Sequence, residues 1–505
     1  MGRIATHRRL QVDVPSALDL VGTITKYLAL TPLIPAAVAV GYRESPWPFL
    51  VTSVCVLIIG LVLERTPGRK ERVGVREGYL VVALTWLIVA GVGALPYLLS
   101  GEPQLSRPLD AYFEGMSGFT TTGASVLTDI DDLPRGLLMW RQLTQWFGGM
   151  GIIVLAIAIL PRLRVGGRHL LESELPGPEH EPLTARIRGT ARQLWILYIA
   201  LTALMALLLM AYGWIGIDER MHPFNAISHA LTTLPTGGFS PENRGAVDFT
   251  AATQWLITVF MIIAGTNFAL IYRSLSRREA TIFQRDEEFR LYLVLLGFVT
   301  LVISFSLWTD GVETGEAAIR HAAFQTVSMM TTTGYGSTDF ALWPGVALMA
   351  LVGVLFIGGS AGSTSGSVKV ARHLLMGRIL RRELDQTVHP ELVSVIRTNR
   401  AQVSEKTLRA ISAFVLLYIG IFILGTAVLA IDAAATGLDL SVIEAVAAAA
   451  TTLGNAGPGF GFAGPLGSFE RFGDASTAAM IILMWMGRLE LIPVLVLFSR
   501  HYWRH

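Results

Sequence analysis

Met330-Thr331-Thr332-Thr333-Gly334-Tyr335-Gly336-Ser337 is the stretch around which the chain is organised. The residues before it, Ala322-Ala323-Phe324-Gln325-Thr326-Val327-Ser328-Met329, predict a short helix, and the small and polar residues after it cannot continue one. A helix that stops at Thr-Thr-Thr-Gly-Tyr-Gly leaves an extended segment in which glycine can take backbone angles other residues avoid, so successive carbonyl oxygens can face one way. Aligned carbonyls replace the water around a dehydrated cation, but one strand supplies a quarter of a ring and is useless alone. A working ring requires three more such stretches.

Composition says where they would lie. The 505 residues are 52% hydrophobic and 15% charged, with a mean hydropathy of +0.53, too apolar for a soluble globular protein of this size. Apolar runs long enough to cross about 30 Å of hydrocarbon recur along the chain, which predicts membrane-spanning helices; a β-barrel would show only weak alternation. The net charge of +2 gives no footprint for nucleic acid, and the single Cys55, inside an apolar run, excludes a disulfide framework or a cysteine metal cluster. Met1 to Leu20 is polar and basic, and the apolar segment after it has no convincing cleavage site, so no cleavable signal peptide is expected.

Two spans open the chain, near Val21 to Val40 and Phe49 to Leu63, followed by the basic turn Arg65-Thr66-Pro67-Gly68-Arg69-Lys70-Glu71-Arg72. From there a unit repeats: an apolar helix, a shorter semi-polar segment ending in Thr and Gly, a second apolar helix and a basic linker. The first unit uses Tyr79 to Leu99, Leu109 to Thr122 and Leu137 to Leu160; the second uses Leu194 to Ile215, Pro223 to Thr236 and Thr253 to Tyr272. The third uses Leu291 to Leu307, Glu316 to Thr333 and a helix from Pro344; the fourth uses Leu408 to Ala430, Val442 to Thr452 and Ala475 to Phe498. A period of about a hundred residues is too long for a solenoid and predicts a fourfold internal duplication, the single-chain counterpart of a tetramer. The expected fold is an all-α integral membrane protein with four helix–pore-loop–helix repeats around a central pore and two extra N-terminal transmembrane helices. The boundaries run as an N-terminal region 1–75 and repeats 76–165, 166–285, 286–405 and 406–505.

The short segments end alike: Phe119-Thr120-Thr121-Thr122-Gly123-Ala124-Ser125, Thr232-Thr233-Leu234-Pro235-Thr236-Gly237-Gly238-Phe239, the opening stretch, and Thr451-Thr452-Leu453-Gly454-Asn455-Ala456-Gly457-Pro458-Gly459. Neutral oxygens in number suit a weakly hydrated monovalent ion, whereas a carboxylate ring would favour a divalent one. The expected ligands are the backbone carbonyls of Thr121, Thr122, Pro235, Thr236, Thr332, Thr333, Asn455 and Ala456, with Gly123, Gly237, Gly334 and Gly457 making the turns. In the fourth copy Gly454 is an alternative to Gly457. Only the third copy has the full Gly-Tyr-Gly of a potassium-channel filter and the second reads as if Pro235 were inserted, so fewer well-formed ion sites are expected than in such a channel. A Thr-Gly that merely ends a helix would explain any one copy, but not four.

Charge predicts orientation. Arg162, Arg164, Arg168, Arg186, Arg188 and Arg192 follow the first unit; Arg273, Arg277, Arg278, Arg285 and Arg290 follow the second. Lys369, Arg372, Arg378, Arg381, Arg382, Arg397, Arg400 and Lys406 follow the third. The positive-inside rule puts these, the N-terminus and Arg500-His501-Tyr502-Trp503-Arg504 in the cytoplasm. The short segments then enter from outside, among loops carrying Asp129, Asp131, Asp132, Glu219, Glu242, Asp310, Glu313 and Asp474, which either concentrate cations or simply solubilise the loops.

Two further features belong below such a ring. Gly358-Gly359-Ser360-Ala361-Gly362-Ser363-Thr364-Ser365-Gly366-Ser367 interrupts the second helix of the third unit. Unwound backbone at membrane depth is tolerated only where protein buries it or it lines water, so Gly358, Gly359, Gly362 and Gly366 are expected in a flexible gate loop. A phosphate-binding loop is the rival, but no Gly-Lys-Ser/Thr follows. Arg488, within Met486-Gly487-Arg488-Leu489-Glu490-Leu491, lies roughly 20 Å from the outer end of its helix. An intramembrane arginine needs a polar or wet partner. It is expected to face the cavity below the ring and bond the Gly-Ser loop, with a pair to Glu490 as the structural alternative. Gly148-Gly149-Met150-Gly151 and Gly265-Thr266-Asn267 read as close helix packing, and His222, His229 and His321 as packing or hydrogen-bonding residues. Glu114 reads as a brace for the first loop, with Gln325 as its counterpart in the third copy and apolar residues in the others. No Ser-His-Asp order, Walker motif or zinc motif supports catalysis.

The Thr-Thr-Thr-Gly-Ala-Ser, Thr-Gly-Gly-Phe-Ser, Thr-Thr-Thr-Gly-Tyr-Gly and Asn-Ala-Gly-Pro-Gly endings, with Gly-Gly-Ser-Ala-Gly-Ser-Thr-Ser-Gly and Gly-Arg-Leu-Glu, resemble the TrkH/TrkG/KtrB superfamily of potassium transporters over nearly the whole chain. The two extra spans and the Asn-x-Gly-Pro-Gly ending are similar to the TrkH branch. The resemblance implies potassium uptake across the bacterial inner membrane, K+ as the transported ion, and a homodimer with one pore per protomer. It also implies a cytoplasmic nucleotide-binding regulatory partner of TrkA type acting on the gate loop, and an arginine beneath the filter at the position of Arg488. A symporter coupled to protons or sodium is the alternative, and a nonconducting membrane scaffold or sensor a third reading.

Overall fold

The computed structural model describes residues 12–65, 74–158, 183–399 and 401–503. The basic residues at 66–72, Arg162, Arg164, Arg168, Arg400 and Arg504, and the end of the expected helix at Leu160, lie outside them. Six described helices are long and apolar enough to cross a membrane. Their outward faces carry exposed Val294, Phe298, Leu301, Phe305, Leu416, Ile423 and Leu424, while Thr121, Thr236, Thr332, Gln145 and Arg488 are buried. Apolar outside and polar within is what hydrocarbon as solvent demands. The chain is a predominantly helical, multi-pass membrane protein. Among the described residues its strand is confined to the short antiparallel pair Arg397–Thr398 and Ala401–Gln402, which all-α expectation missed.

The opening span, Val14–Gly41, is broken between helices Val14–Leu28 and Leu33–Gly41, and the next is Trp47–Glu64. Lys26 and Glu64 join the two at 2.7 Å. Glu44, in the following loop, accepts hydrogen bonds from the backbone N–H of Arg135 at 2.7 Å and Gly136 at 2.8 Å. It so satisfies orphan donors at the start of the helix Arg135–Ala158.

Four long helices, Val75–Ser100, Leu183–Trp214, Glu287–Thr309 and Glu405–Thr436, are each followed by a short one: Pro108–Phe119, Pro223–Thr233, Gly315–Met330 and Val442–Gly454. The short helices start on local signals. Pro opens the first two, and Ser441 and Glu444 form a reciprocal capping box on the fourth. Close approach is bought with small residues: a Cβ on Gly115 would stand 2.5 Å from Ala90 O, so this short helix lies directly on its long neighbour.

The second helices of the second and fourth units depart from the expected continuous rod, and that of the third is interrupted where the Gly-Ser run predicts. Only the first, Arg135–Ala158, is unbroken. The second divides into Ala251–Ala264 and Phe268–Arg277, bent by 94°, with the Asn267 side chain accepting from the N–H groups of Ala269 and Leu270. Gly265-Thr266-Asn267 is therefore a helix break as well as a packing site. The third divides into Gly345–Leu355 and Val370–Val388 around the Gly-Ser loop, and the fourth into Asp474–Arg488 and Ile492–Leu497. The fourth break runs through Glu490 and Leu491, both at positive φ (60° and 56°).

Candidate functional site

All four short helices end in one backbone motif. Thr121, Thr236, Thr332 and Asn455 stand in the left-handed region (φ 51°, 56°, 58° and 55°). The N–H of the next residue then reaches five residues back: Thr122 to Ser117 O and Thr333 to Ser328 O at 2.8 Å, Gly237 to Thr232 O and Ala456 to Thr451 O at 2.9 Å. This is a Schellman-type ending, where glycine or asparagine is usual. A β-branched residue in that conformation is an outlier costing about 1–3 kcal/mol, and three of the four are threonine. Two residues on, Gly123, Gly238, Gly334 and Gly457 again have positive φ (84°, 80°, 84° and 93°). Glycine is the residue for that second reversal.

The register this defines corrects the expectation in the second copy. Its reversing glycine is Gly238, one residue after Gly237, and Gly237 is the counterpart of Thr122, Thr333 and Ala456. Pro235 aligns with Thr120, Thr331 and Gly454, so it is no insertion, and in the fourth copy the reversal is at Gly457. The equivalent pairs are thus Thr121–Thr122, Thr236–Gly237, Thr332–Thr333 and Asn455–Ala456.

The four endings converge on one another. A Cβ on Gly123 would overlap Gly237 O, one on Gly238 would overlap Thr333 O, one on Gly334 would overlap Ala456 O, and one on Gly457 would approach Thr122 O at 3.0 Å. First meets second, second third, third fourth and fourth first, so the chain closes a ring with the carbonyls of Thr122, Gly237, Thr333 and Ala456 at equivalent places. Cross-links fix it. Asn455 Nδ2 donates to Thr122 Oγ1 at 3.0 Å, and the Tyr335 hydroxyl bonds Thr232 Oγ1 of the neighbouring ending.

In three of the four copies a polar residue seven positions before the left-handed one holds the outer limb of the loop. Glu114 accepts from Ser125 Oγ at 3.0 Å and pairs with Arg141 at 2.8 Å, both side chains buried. His229 faces Ser240 Oγ at 3.4 Å, and Gln325 bonds Ser337 Oγ. The second-copy counterpart of Glu114 is thus His229, a polar residue, while the fourth has Ala448. Farther out, Asn243 joins Asp129 at 2.9 Å and Asp131 at 3.0 Å, and Glu242 pairs with Arg220 at 3.2 Å. Burial pushes the Glu242 carboxyl above its ordinary value, against the pull of Arg220.

The Gly-Ser segment spans the underside of this ring. Gly366 N–H donates to Thr332 Oγ1 at 2.8 Å; Thr364 Oγ1 donates to Leu234 O at 3.0 Å and Ala264 O at 3.2 Å. Ser360 N–H donates to Gly265 O at 2.9 Å, and a Cβ on Gly366 would overlap Gly454 O. Gly359 faces Ser365 and Gly265 O, and Gly362 packs on the Asn267 amide; Gly358 and Gly362 have positive φ (79° and 76°). Arg488 completes the arrangement. Its Nη1 donates to Thr364 O at 2.9 Å and its Nη2 to Gly148 O, on the first unit, at 3.3 Å. The alternative of a pair with Glu490 is overturned: Glu490 bonds Arg372 at 2.6 Å and Lys369 at 3.7 Å, where the loop re-enters helix.

Sequence reasoning passed over Arg141 and Gln145, and it named Gly238, Lys369, Arg372 and Glu490 without the reversal or the ion-pair cluster they form. Arg141 and Gln145 carried a usable signal, as polar residues inside an apolar run.

A ring of main-chain oxygens where four short helices end, backed by a buried loop and an arginine, places the chain in the class of multi-pass helical membrane proteins with a pore-loop-like architecture. Residues 49–504 match the family model described as TrkH, cation transport protein, and the chain belongs to that family. It is 39% identical to the Trk system potassium uptake protein TrkH of Escherichia coli (strain K12) over 96% of this chain and 98% of that one. Identity to the Escherichia coli (strain K12) Trk system potassium uptake protein TrkG is 33% over 96% of this chain and 97% of that one. The crystal structure of the potassium transporter TrkH from Vibrio parahaemolyticus superposes with a TM-score of 0.86, at 34% identity, over 97% of this chain and 100% of that one.

Proposed function

We propose that this chain is a potassium-uptake protein of the bacterial inner membrane, passing K+ down its electrochemical gradient through a gated pore. The closed ring formed by Thr122, Gly237, Thr333 and Ala456 carries the reading. Its oxygens are neutral and numerous, which suits a monovalent ion of low hydration energy. The relatives' names, which specify potassium uptake, support the choice of ion. Membrane potential supplies about 2.3 kcal/mol per charge per 100 mV as the driving force.

The ion's ligands are the carbonyls of Thr121, Thr122, Thr236, Gly237, Thr332, Thr333, Asn455 and Ala456. The loop bearing Gly358, Gly359, Gly362 and Gly366, with Arg488, is the gate. Both termini face the cytoplasm, and the repeat boundaries fall near residues 76, 166, 286 and 406. The protein works as a homodimer with a nucleotide-binding cytoplasmic subunit of TrkA type, which docks on the basic face and moves the loop; the Trk system name borne by the relatives supports a multi-component assembly.

Rubidium uptake into proteoliposomes with competing potassium and sodium tests the reading. Uptake blocked by potassium and spared by sodium, reversing at the potassium Nernst potential, is expected. Reversal displaced by a proton or sodium gradient would replace it with a coupled symporter, and no uptake with or without a partner would replace it with a scaffold.

A further inference from the structure

The four arms of the ring are unequal, and the inequality is greatest in the second. Thr122, Thr333 and Ala456 each carry a fully buried side chain, but Gly237 has none and is followed by a second glycine, Gly238. Two adjacent glycines make this the arm with the most conformational freedom to lose. A ring discriminates between ions of similar charge only while its oxygens keep their number and field, so a loose arm would degrade the whole.

Gln145, on the helix Arg135–Ala158, occupies the missing side chain's place. A Cβ on Gly237 would overlap its amide. Its Nε2 donates to Gly237 O at 2.7 Å and its Oε1 accepts from Phe239 N–H at 3.0 Å, so one planar amide spans both sides of Gly238. The two partners, a carbonyl and an N–H, fix which end of the amide is which. The side chain is fully buried on an unbroken helix, which makes it a rigid support.

We propose that Gln145 is a positioning residue that sets ion selectivity by holding the Gly237 carbonyl in the ring. It is the side-chain substitute for the threonine found at the same place in the first and third arms. This rests on the ring being the conducting filter, and the two readings fail separately. If wild-type proteoliposomes show no potassium-selective flux, the filter reading falls; if they do and the variants match them, only the role of Gln145 falls.

The test compares wild type with Gln145→Met, which keeps length but loses both bonds, and Gln145→Glu, which keeps the acceptor for Phe239 N–H. Rubidium and sodium fluxes are measured in proteoliposomes, with size-exclusion profile and thermal unfolding as controls for folding. Gln145→Met is expected to fold and to lower the rubidium-to-sodium flux ratio by about tenfold while rubidium still passes. A folded Gln145→Met with the wild-type ratio, including one whose total flux alone falls, overturns the proposal. If that variant does not fold, Gln145→Glu decides: a ratio that is low at alkaline pH and recovers as acid restores a donor supports the role. A wild-type ratio at every pH, or a low one that acid leaves unchanged, overturns it.

Discussion

Gly366 N–H donates to the hydroxyl of Thr332 at 2.8 Å, which ties the intramembrane loop to the left-handed residue of the third arm. The bond joins the proposed gate to the proposed filter, so removing it loosens the loop and leaves the ring's carbonyl count unchanged. Thr332→Ala is predicted to raise partner-independent rubidium uptake several-fold, while Thr332→Ser, which retains the hydroxyl, stays near wild type. Equal uptake by both variants would show that the loop is held elsewhere.

Arg488 clamps the same loop from below. It bridges Thr364 O and Gly148 O, and hydrogen bonds from a charged donor contribute about 1.5–3 kcal/mol each. Arg488→Ala removes both the bridge and a fixed positive charge from beneath the proposed filter. Single-channel or vesicle flux is expected to rise by roughly tenfold or more, as 1.4 kcal/mol corresponds to tenfold in the open population. A folded variant with lower flux would count against the barrier.

In the ring itself, Gly334 has φ 84°, and a Cβ there would overlap Ala456 O and stand 2.8 Å from Pro458. Gly334→Ser should relax selectivity for potassium over sodium; competition assays with both ions report it, and unchanged discrimination would remove Gly334 from the filter. The register of the second arm makes the parallel prediction that Gly238→Ala, at φ 80° and facing Thr333 O, disturbs selectivity in the same way.

Behind the first arm, Glu114 and Arg141 form a buried pair, and Arg141 also lies over the Phe239 ring at 4.1 Å. Removing one partner leaves an uncompensated buried charge, a loss of about 3–5 kcal/mol. Arg141→Ala, which strands the Glu114 carboxylate, and Glu114→Gln, which strands the Arg141 guanidinium, are therefore both expected to lower the thermal unfolding temperature sharply in detergent. Temperatures near wild type for both variants would mean the pair contributes little.

The recurrence of Thr and Gly at the ends of four short helices was legible because backbone reversals demand particular residues, and the apolar runs because hydrocarbon tolerates little else. The second arm misled for a physical reason. Pro235 is conspicuous, but handedness at Thr236 and Gly238 sets the register, and φ is not written in composition. The breaks at Gly265-Thr266-Asn267 and Glu490-Leu491 were also hidden, since apolar residues on both sides read as one span. Arg488 announced itself as an intramembrane charge, yet its partners are carbonyls supplied by Thr364 and Gly148, far along the chain. Gln145 acts on residues 92 and 94 positions away, a pairing that local pattern cannot express.

Anomalous scattering from crystals grown in rubidium or thallium salt bears most directly on whether the four arms bind the ion together. A peak enclosed by the carbonyl oxygens of Thr122, Gly237, Thr333 and Ala456, weakened when potassium replaces the heavier ion, is the predicted result. A map with no peak inside that ring, or with one only at the outer carboxylates around Asp131 and Glu242, would contradict it.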